Sequence, residues 1–128
     1  MSIQEKKYYG GCHCKKVQYS FFCPGEVSIL VCNCSICEPY SYQHLIINHK
    51  RFTLITGQNF LRKYTFETKK AEHIFCTECG IKSYYQPRSH SNSFSINLNC
   101  VQNPPIVKKI EEFNGKDFVS AMKNLRVK

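Results

Sequence analysis

The sequence lacks tryptophan, any apolar run long enough to cross a bilayer, and an excess of residues that favour disorder. Among its 128 residues, six are Gly and five are Pro, while 42% are hydrophobic and 21% are charged, which is typical of a folded chain. The first residues, MSIQEKKYYGG, do not contain the apolar segment of a secretory signal. We therefore expect a single domain over residues 1–128, with its core at about 8–125, in the cytoplasm or alternatively the nucleus.

Acidic residues are also scarce, because nine Asp and Glu face eighteen Lys and Arg, for a formal net charge of +9. The basic residues occur as scattered doublets, such as Lys6-Lys7, Lys15-Lys16 and Lys108-Lys109, and do not form a single arm. This distribution predicts a solvated basic surface that favours anionic partners in general. It does not favour a nucleic-acid partner in particular, and it indicates no membrane partner.

Aromatic residues are abundant, and the eight Tyr and nine Phe recur in short alternating runs. The run KVQYSFF places Val17, Tyr19 and Phe21 on one face of a strand. Runs of the same kind are VSILVCNC, HLIINHKRFTLITG, NFLRKYTFE, EHIFCTECGIKSYYQP, SFSINLNC and IVKKIEEF. Alternation of this kind, interrupted by Gly and Pro, predicts a mainly β, antiparallel fold.

The end of the chain has a different pattern. In NGKDFVSAMKNLRVK, Asp117 is suited to cap a helix. The apolar residues that follow have the spacing of one helical face: Phe118, Val119, Met122 and Leu125. We therefore predict a short C-terminal helix.

The nine cysteines carry the strongest functional signal. Thiols stay reduced inside the cell, and an odd number cannot all pair, so metal binding is favoured over disulfides. Seven of the nine lie in three clusters, GGCHC, CNCSIC and FCTECG. Cys23 and Cys100 lie outside these clusters and are interpreted as buried apolar residues.

The first and third clusters together predict a closed metal site. Cys76 and Cys79, followed by Gly80, form a Cys-x2-Cys-Gly knuckle that brings two sulfurs together. Cys12 and Cys14, if they lie on a strand, point to the same face, and His13 between them points away. Four thiolates would hold a structural zinc, whereas the alternative is four separate buried cysteines.

The middle cluster offers three thiols, Cys32, Cys34 and Cys37. Three thiolates hold a zinc and leave its fourth position open, which is typical of a catalytic site. Residues that would instead close the site from within the chain are Cys23, Glu38, His44, His73 and Cys100. Because thiolate ligands are soft and a further thiol is a natural fourth ligand, the set favours chemistry on a small-molecule thiol.

With their order and spacing, the three clusters resemble the glutathione-dependent formaldehyde-activating enzyme family. The segments YTFETKKAEHIFCTECGIKSYYQPRS and EEFNGKDFVSAMK look especially similar to the centromere protein V branch of that family. The resemblance implies a β-rich fold related to the Mss4 zinc proteins, and carbon–sulfur lyase activity on adducts such as S-(hydroxymethyl)glutathione. It also implies two zincs per chain, one structural and one catalytic, whose ligands are Cys12, Cys14, Cys76 and Cys79 for the first and Cys32, Cys34 and Cys37 for the second.

Two positions depart from the pattern of the family. Lys15 stands where Gly is common, and Glu38 stands where a basic residue is usual, next to an anionic site. The negative charge of Glu38 disfavours an acidic peptide such as glutathione, which weakens the prediction of that substrate. An alternative function, favoured if a protein side chain is the fourth ligand of the middle cluster, is a non-catalytic zinc-binding module for protein or nucleic-acid interaction, in which that cluster is a second staple. A thiol redox or metal-buffering protein is disfavoured, because the knuckle lacks a βαβ setting.

Overall fold

The computed structural model describes residues 5–33, 36, 42–66 and 71–113, and its strands form three sheets. The strands in chain order are β1 (Glu5–Gly11), β2 (Gln18–Pro24), β3 (Glu26–Cys32), β4 (Gln43–Asn48), β5 (Phe52–Thr56), β6 (Leu61–Tyr64), β7 (His73–Cys76), β8 (Tyr84–Tyr85), β9 (Ser93–Asn97), β10 (Val101–Gln102) and β11 (Ile106–Phe113). Within the described ranges, the helical elements are single 3-10 turns at His49–Arg51, Gln58–Phe60 and Leu98–Cys100. No helix in this part of the chain is long and apolar enough to cross a membrane.

The mainly β prediction is confirmed by the order of the strands. A four-stranded sheet runs β10-β1-β2-β5, a five-stranded sheet runs β11-β3-β4-β9-β8, and β6 pairs with β7. The pairs are antiparallel, as expected, apart from β11 and β3, which run parallel. The predicted helix after Asp117 lies outside the described residues.

The main core is formed largely by side chains from the two larger sheets, with Ile74 and Cys76 added from β7. Val17, Tyr19 and Phe21 are fully buried in it, which confirms the face predicted from KVQYSFF. From the other sheet, Tyr84 meets Tyr19 edge to face, with ring centroids 5.4 Å apart. The Tyr19 hydroxyl donates to the Ser83 carbonyl at 2.9 Å, so the one polar atom of this ring is satisfied inside the core.

The five-stranded sheet has a second buried face, which is polar. On β9, Ile96 belongs to the main core, while the alternate residue Ser95 is completely buried on the opposite side. Ser95 pairs with Tyr85 across the sheet. His44 also belongs to this side, because it alternates with the core residue Leu45.

The same alternation continues to the end of β3. Leu30 pairs with His44, and Cys32 follows Leu30 by two residues, so it points to the polar side as well. Tyr42 precedes His44 by two residues and lies there too. We call this surface the polar face and define it as Cys32, Tyr42, His44, Tyr85 and Ser95.

Candidate metal centre and adjoining polar face

The first cysteine pair lies in a tight turn that follows β1. The backbone N–H of Cys12 donates to the Val17 carbonyl at 3.0 Å, and that of Lys15 donates to the Cys12 carbonyl at 3.2 Å. Lys15 adopts the left-handed conformation, with φ of 66°, which reverses the chain. The prediction that Cys12 and Cys14 lie on a strand is therefore wrong, although their sulfurs still approach to 3.5 Å. His13, between them, is exposed, as expected.

The second pair forms the predicted knuckle at the end of β7. The backbone N–H of Gly80 donates to the Cys76 carbonyl at 2.8 Å, and that of Cys76 donates to the Ile81 carbonyl at 3.1 Å. Gly80 has φ of 76°, in the left-handed region that glycine enters without steric cost. The turn thus returns Cys79 to the side of Cys76.

The two pairs converge on a single point. The Sγ atoms of Cys14 and Cys76 are 3.7 Å apart, and all four sulfurs of the two pairs lie within 4.8 Å of one another. Tetrahedral Zn–S bonds imply a sulfur separation of ~3.8 Å. The backbone N–H of Val17 donates to Cys12 Sγ, and the backbone N–H of Glu78 donates to Cys76 Sγ, both at 3.4 Å. The described residues can therefore hold one metal ion here, and both donor type and spacing suit zinc.

The thiols of this cluster influence one another's pKa. Desolvation opposes ionisation of Cys79, but the backbone N–H groups of Cys14 and Ile81 and the neighbouring thiols outweigh it and lower the pKa of Cys79 to about 6. For Cys14, the backbone N–H of Lys16 favours the thiolate, but desolvation and three neighbouring thiols together raise its pKa to about 12. One thiolate thus disfavours the ionisation of the neighbouring thiols. Four thiolates at this spacing need a cation to balance their charge.

Cys23 and Cys100 do not belong to the group of four. Burial raises the pKa of each thiol to about 11, so both are protonated at neutral pH. Cys23 lies in the main core, in agreement with its interpretation as a buried apolar residue.

Of the middle cluster, Cys32 lies within the described residues and belongs to the polar face. It packs against Tyr42 and Tyr85, which form a small buried cluster apart from the main core. Cys34 and Cys37 lie outside the described residues, as does Glu38, so the convergence of the three thiols stays a prediction.

The polar face is tied together by hydrogen bonds between side chains. His44 Nδ1 lies 2.9 Å from the Ser95 hydroxyl and 3.2 Å from the Tyr85 hydroxyl. The Tyr42 hydroxyl donates to the Ser95 carbonyl at 2.7 Å, and its ring centroid is 4.4 Å from that of His44. Burial raises the pKa of Tyr42 well above its ordinary value, so this phenol stays neutral.

Two further buried groups lie against this face. The Lys82 side chain is almost completely buried, and its Nζ atom is 2.7 Å from His73 Nδ1 and 3.8 Å from the centroid of the Tyr85 ring. His73, which the sequence offered as a candidate to close the middle site, is stacked on Tyr85, with ring centroids 5.1 Å apart. Lys82 was missed, because a lysine beside a knuckle is normally solvated and nothing local distinguishes this one.

These features define the class of the protein: a β-rich domain with a four-cysteine centre that can hold a metal ion, and a buried polar face that contains a further cysteine. A model of the family "Glutathione-dependent formaldehyde-activating enzyme" matches residues 7–116, and the chain belongs to this family. A crystal structure of a Rhodobacter sphaeroides protein is similar, with 27% identity and a TM-score of 0.69, covering 74% of this chain and 88% of that one. Resemblance to the family is thus confirmed, whereas placement in the centromere protein V branch stays a prediction.

Proposed function

We propose that the protein is a zinc-dependent carbon–sulfur lyase that acts on small thiol–aldehyde adducts such as S-(hydroxymethyl)glutathione. Membership of the formaldehyde-activating family supports glutathione as the thiol partner. The observation that carries the proposal is the position of Cys32, which packs against buried tyrosines on a face that also holds His44. A buried histidine and tyrosines beside a cysteine that would hold a metal are expected of an active site and are unnecessary in a structural staple.

In this proposal the chain holds two zinc ions with different roles. The four converging thiols, Cys12, Cys14, Cys76 and Cys79, hold a structural ion. Cys32, Cys34 and Cys37 would hold a second one, and three thiolates would leave a position for the substrate. Zinc bound there would supply a thiophilic Lewis acid for the sulfur or hydroxyl oxygen of the adduct.

The reaction requires one proton to move as one bond breaks. When the carbon–sulfur bond of the hydroxymethyl adduct breaks, its electron pair goes to sulfur, and the hydroxyl group loses a proton as the aldehyde carbonyl forms. The products are the free thiol and the aldehyde. His44, whose Nδ1 is within hydrogen-bond distance of the Ser95 and Tyr85 hydroxyls, is the group that we assign to accept this proton and return it to sulfur.

The proposal is tested by counting zinc per chain in the wild type and in Cys34→Ala, with and without glutathione. We expect two zincs in the wild type and one in the folded variant, with glutathione perturbing the more labile ion. In cobalt-substituted protein, glutathione should change the absorption spectrum of that site alone. Cys23→Ala is the matched control, because it removes a buried thiol from the core and should keep both ions.

The contrary result is equally specific. If both zincs are held equally tightly, ignore glutathione, and Cys34→Ala unfolds the protein, then the middle cluster is a second staple. The protein would then be a non-catalytic zinc-binding module, and its basic surface would direct the search for an anionic partner.

A further inference from the structure

Strand β11 forms one edge of the five-stranded sheet and is the longest strand among the residues that the structure describes. Within those residues, β11 pairs with β3 on one side and with no strand on the other. Two isoleucines on β11 are largely exposed, Ile106 at 67% and Ile110 at 60%. A long edge with exposed apolar side chains is a template for pairing with another strand.

The charges of β11 are arranged symmetrically about Ile110. In the segment KKIEE, two lysines precede Ile110 and two glutamates follow it. Lysines on an edge strand ordinarily prevent pairing between copies of a chain, because they bring like charges together. Here the glutamates reverse that effect, since a second copy that runs antiparallel brings its glutamates to the lysines of the first.

One register places every charge of this segment opposite a charge of the other sign. If Ile110 lies opposite the same residue of a second copy, Lys109 lies opposite Glu111 of that copy. In the same register Lys108 lies opposite Glu112, and both pairs occur twice by symmetry. A shift of two residues, which keeps the faces of the strands, instead places Lys109 opposite Lys109 or Glu111 opposite Glu111. The charges therefore select a single register.

The backbone of β11 is regular where this pairing would be centred. Its register with β3 shifts between Val107 and Lys109, and the pairing is continuous from Lys109 to the end of the strand. The Lys109 Nζ atom lies 3.1 Å from a carboxylate oxygen of Glu111, so these two charged side chains share one face of the strand. Ile110, which pairs with the buried Ile29, lies on the other face. A second copy would cover its exposed surface.

We propose that the protein forms a symmetric dimer in which two copies of β11 pair antiparallel, with Ile110 at the two-fold axis. The two five-stranded sheets would then join into one continuous sheet. Because a single pair of strands buries a small area, we expect a dimer that dissociates on dilution. This inference is independent of the proposed function, because the interface includes neither the four-cysteine centre nor the polar face.

The test is sedimentation equilibrium of the zinc-loaded full chain, over about 1 μM to 1 mM protein. The wild type should show an equilibrium between monomer and dimer. Lys109→Glu and Glu111→Lys each place like charges opposite one another twice per dimer, so each should raise the dissociation constant about 10–100-fold. Lys63→Glu is the matched control and should leave the dimer unchanged. It makes the same change at an exposed lysine on another sheet, which also pairs with a glutamate.

A mixture of the two charge variants gives a sharper readout. The Lys109→Glu chain is negative at both positions and the Glu111→Lys chain is positive at both, so each chain repels its own copies and attracts the other. An equimolar mixture should therefore form a heterodimer about as tight as the wild-type dimer. Neither a folding defect nor loss of the ion pair within one chain predicts this recovery.

A second measurement needs no substitution. Amide hydrogen exchange of β11 in the wild type should slow as the protein concentration rises through the dissociation constant. Exchange of β5, an edge strand of the four-stranded sheet, should not change.

Three results would overturn the proposal. The first is a wild type that stays monomeric at the highest concentration, and slow exchange of β11 in that monomer would mean that another part of the same chain covers the edge. The second is a dimer that persists in both charge variants. The third is a mixture of the two variants that does not recover the dimer, which would place the interface elsewhere.

Discussion

The four-cysteine centre and the polar face belong to different sheets and are built in opposite ways. The centre is made by backbone turns. Hydrogen bonds at Cys12 and Cys76 fold two short loops, and these loops lie close enough together to bring the four sulfurs within 4.8 Å of one another. The polar face is made by side chains, because β-strand alternation places His44 and Ser95 on one surface, where they satisfy each other. The first arrangement needs a cation once its thiols are ionised, whereas the second is held by hydrogen bonds between side chains.

This difference explains why we assign the two regions different tasks. A closed set of four thiolates offers no position for a substrate, and it joins chain segments 62 residues apart at Cys14 and Cys76. The polar face holds one cysteine together with a histidine, two tyrosines and a serine, and a buried lysine lies against it. Buried polar groups contribute less to stability than apolar packing would, so their presence indicates a function.

The largest effect that distinguishes the regions is expected from Cys76→Ser. Loss of one thiolate should release the metal from the four-cysteine centre and leave the other thiols close together without a cation. We expect a loss of about 3 kcal/mol or more in the free energy of unfolding, measured by denaturant titration together with zinc content. Cys100→Ala, which removes a nearby thiol outside the group of four, should cost about 1 kcal/mol and keep the metal. Retention of metal in Cys76→Ser would contradict the assignment.

Two glycines near the cysteine turns form a matched pair with a smaller effect. Both have positive φ, 96° at Gly57 and 76° at Gly80. A Cβ atom at Gly57 would lie 2.3 Å from the backbone oxygen of Lys16, whereas nothing lies within 4 Å at Gly80. Thermal and urea unfolding of the zinc-loaded protein should therefore show a loss of about 2 kcal/mol or more for Gly57→Ala. Gly80→Ala should cost about 1 kcal/mol. Equal costs would mean that the close approach at Gly57 does not support the first turn.

Two buried tyrosines, one in the apolar core and one on the polar face, allow the two regions to be compared by the same substitution. Tyr42 donates to the Ser95 carbonyl and Tyr19 to the Ser83 carbonyl, at 2.7 and 2.9 Å. Replacement of either by Phe removes one buried hydrogen bond and should cost about 1–2 kcal/mol of unfolding free energy. We expect that only Tyr42→Phe also changes the rate of cleavage of a hydroxymethyl thiol adduct. If Tyr19→Phe changes that rate as much, the polar face has no special role.

The smallest effect is expected at the surface beside the four-cysteine centre. Lys16 and Glu78 form an ion pair of 2.9 Å that links the two cysteine turns, but both side chains are 46% exposed. A double-mutant cycle with alanine at both positions should give a coupling energy of about 0.5 kcal/mol and leave the zinc content unchanged. A coupling of several kcal/mol would show that the turns depend on this pair as well as on the metal.

Local patterns in the sequence were sufficient to predict part of this structure. The buried face of β2 follows from the alternation of Val17, Tyr19 and Phe21, and the knuckle at Cys76 follows from cysteine spacing and Gly80. The turn at Cys12 was not predictable, because Cys-x-Cys spacing fits a strand and a turn equally well. In the structure Lys15 has the positive φ that the turn requires, but a lysine in the sequence does not predict this conformation. A glycine at this position would have indicated the turn more clearly.

The polar face was not predictable for a different reason. SFSIN alternates like a strand with one exposed side, but both sides are buried, because residues distant in the sequence cover Ser95. Whether a histidine or lysine is buried depends on strand pairing that a single sequence does not reveal. The burial of Lys82, and the hydrogen bonds that make His44 a candidate for proton transfer, became visible only with the register of β4, β8 and β9.

The central claim is that the chain holds two metal sites of different kinds, and graded chelation of the zinc-loaded wild type tests it most directly. A chromogenic chelator would be added while zinc release and the circular dichroism of the fold are followed together. We predict two phases: a faster release of one zinc with the fold retained, then a slower release of the other as the protein unfolds. Release of both ions at one rate, accompanied by unfolding, would contradict an open site at Cys32, Cys34 and Cys37.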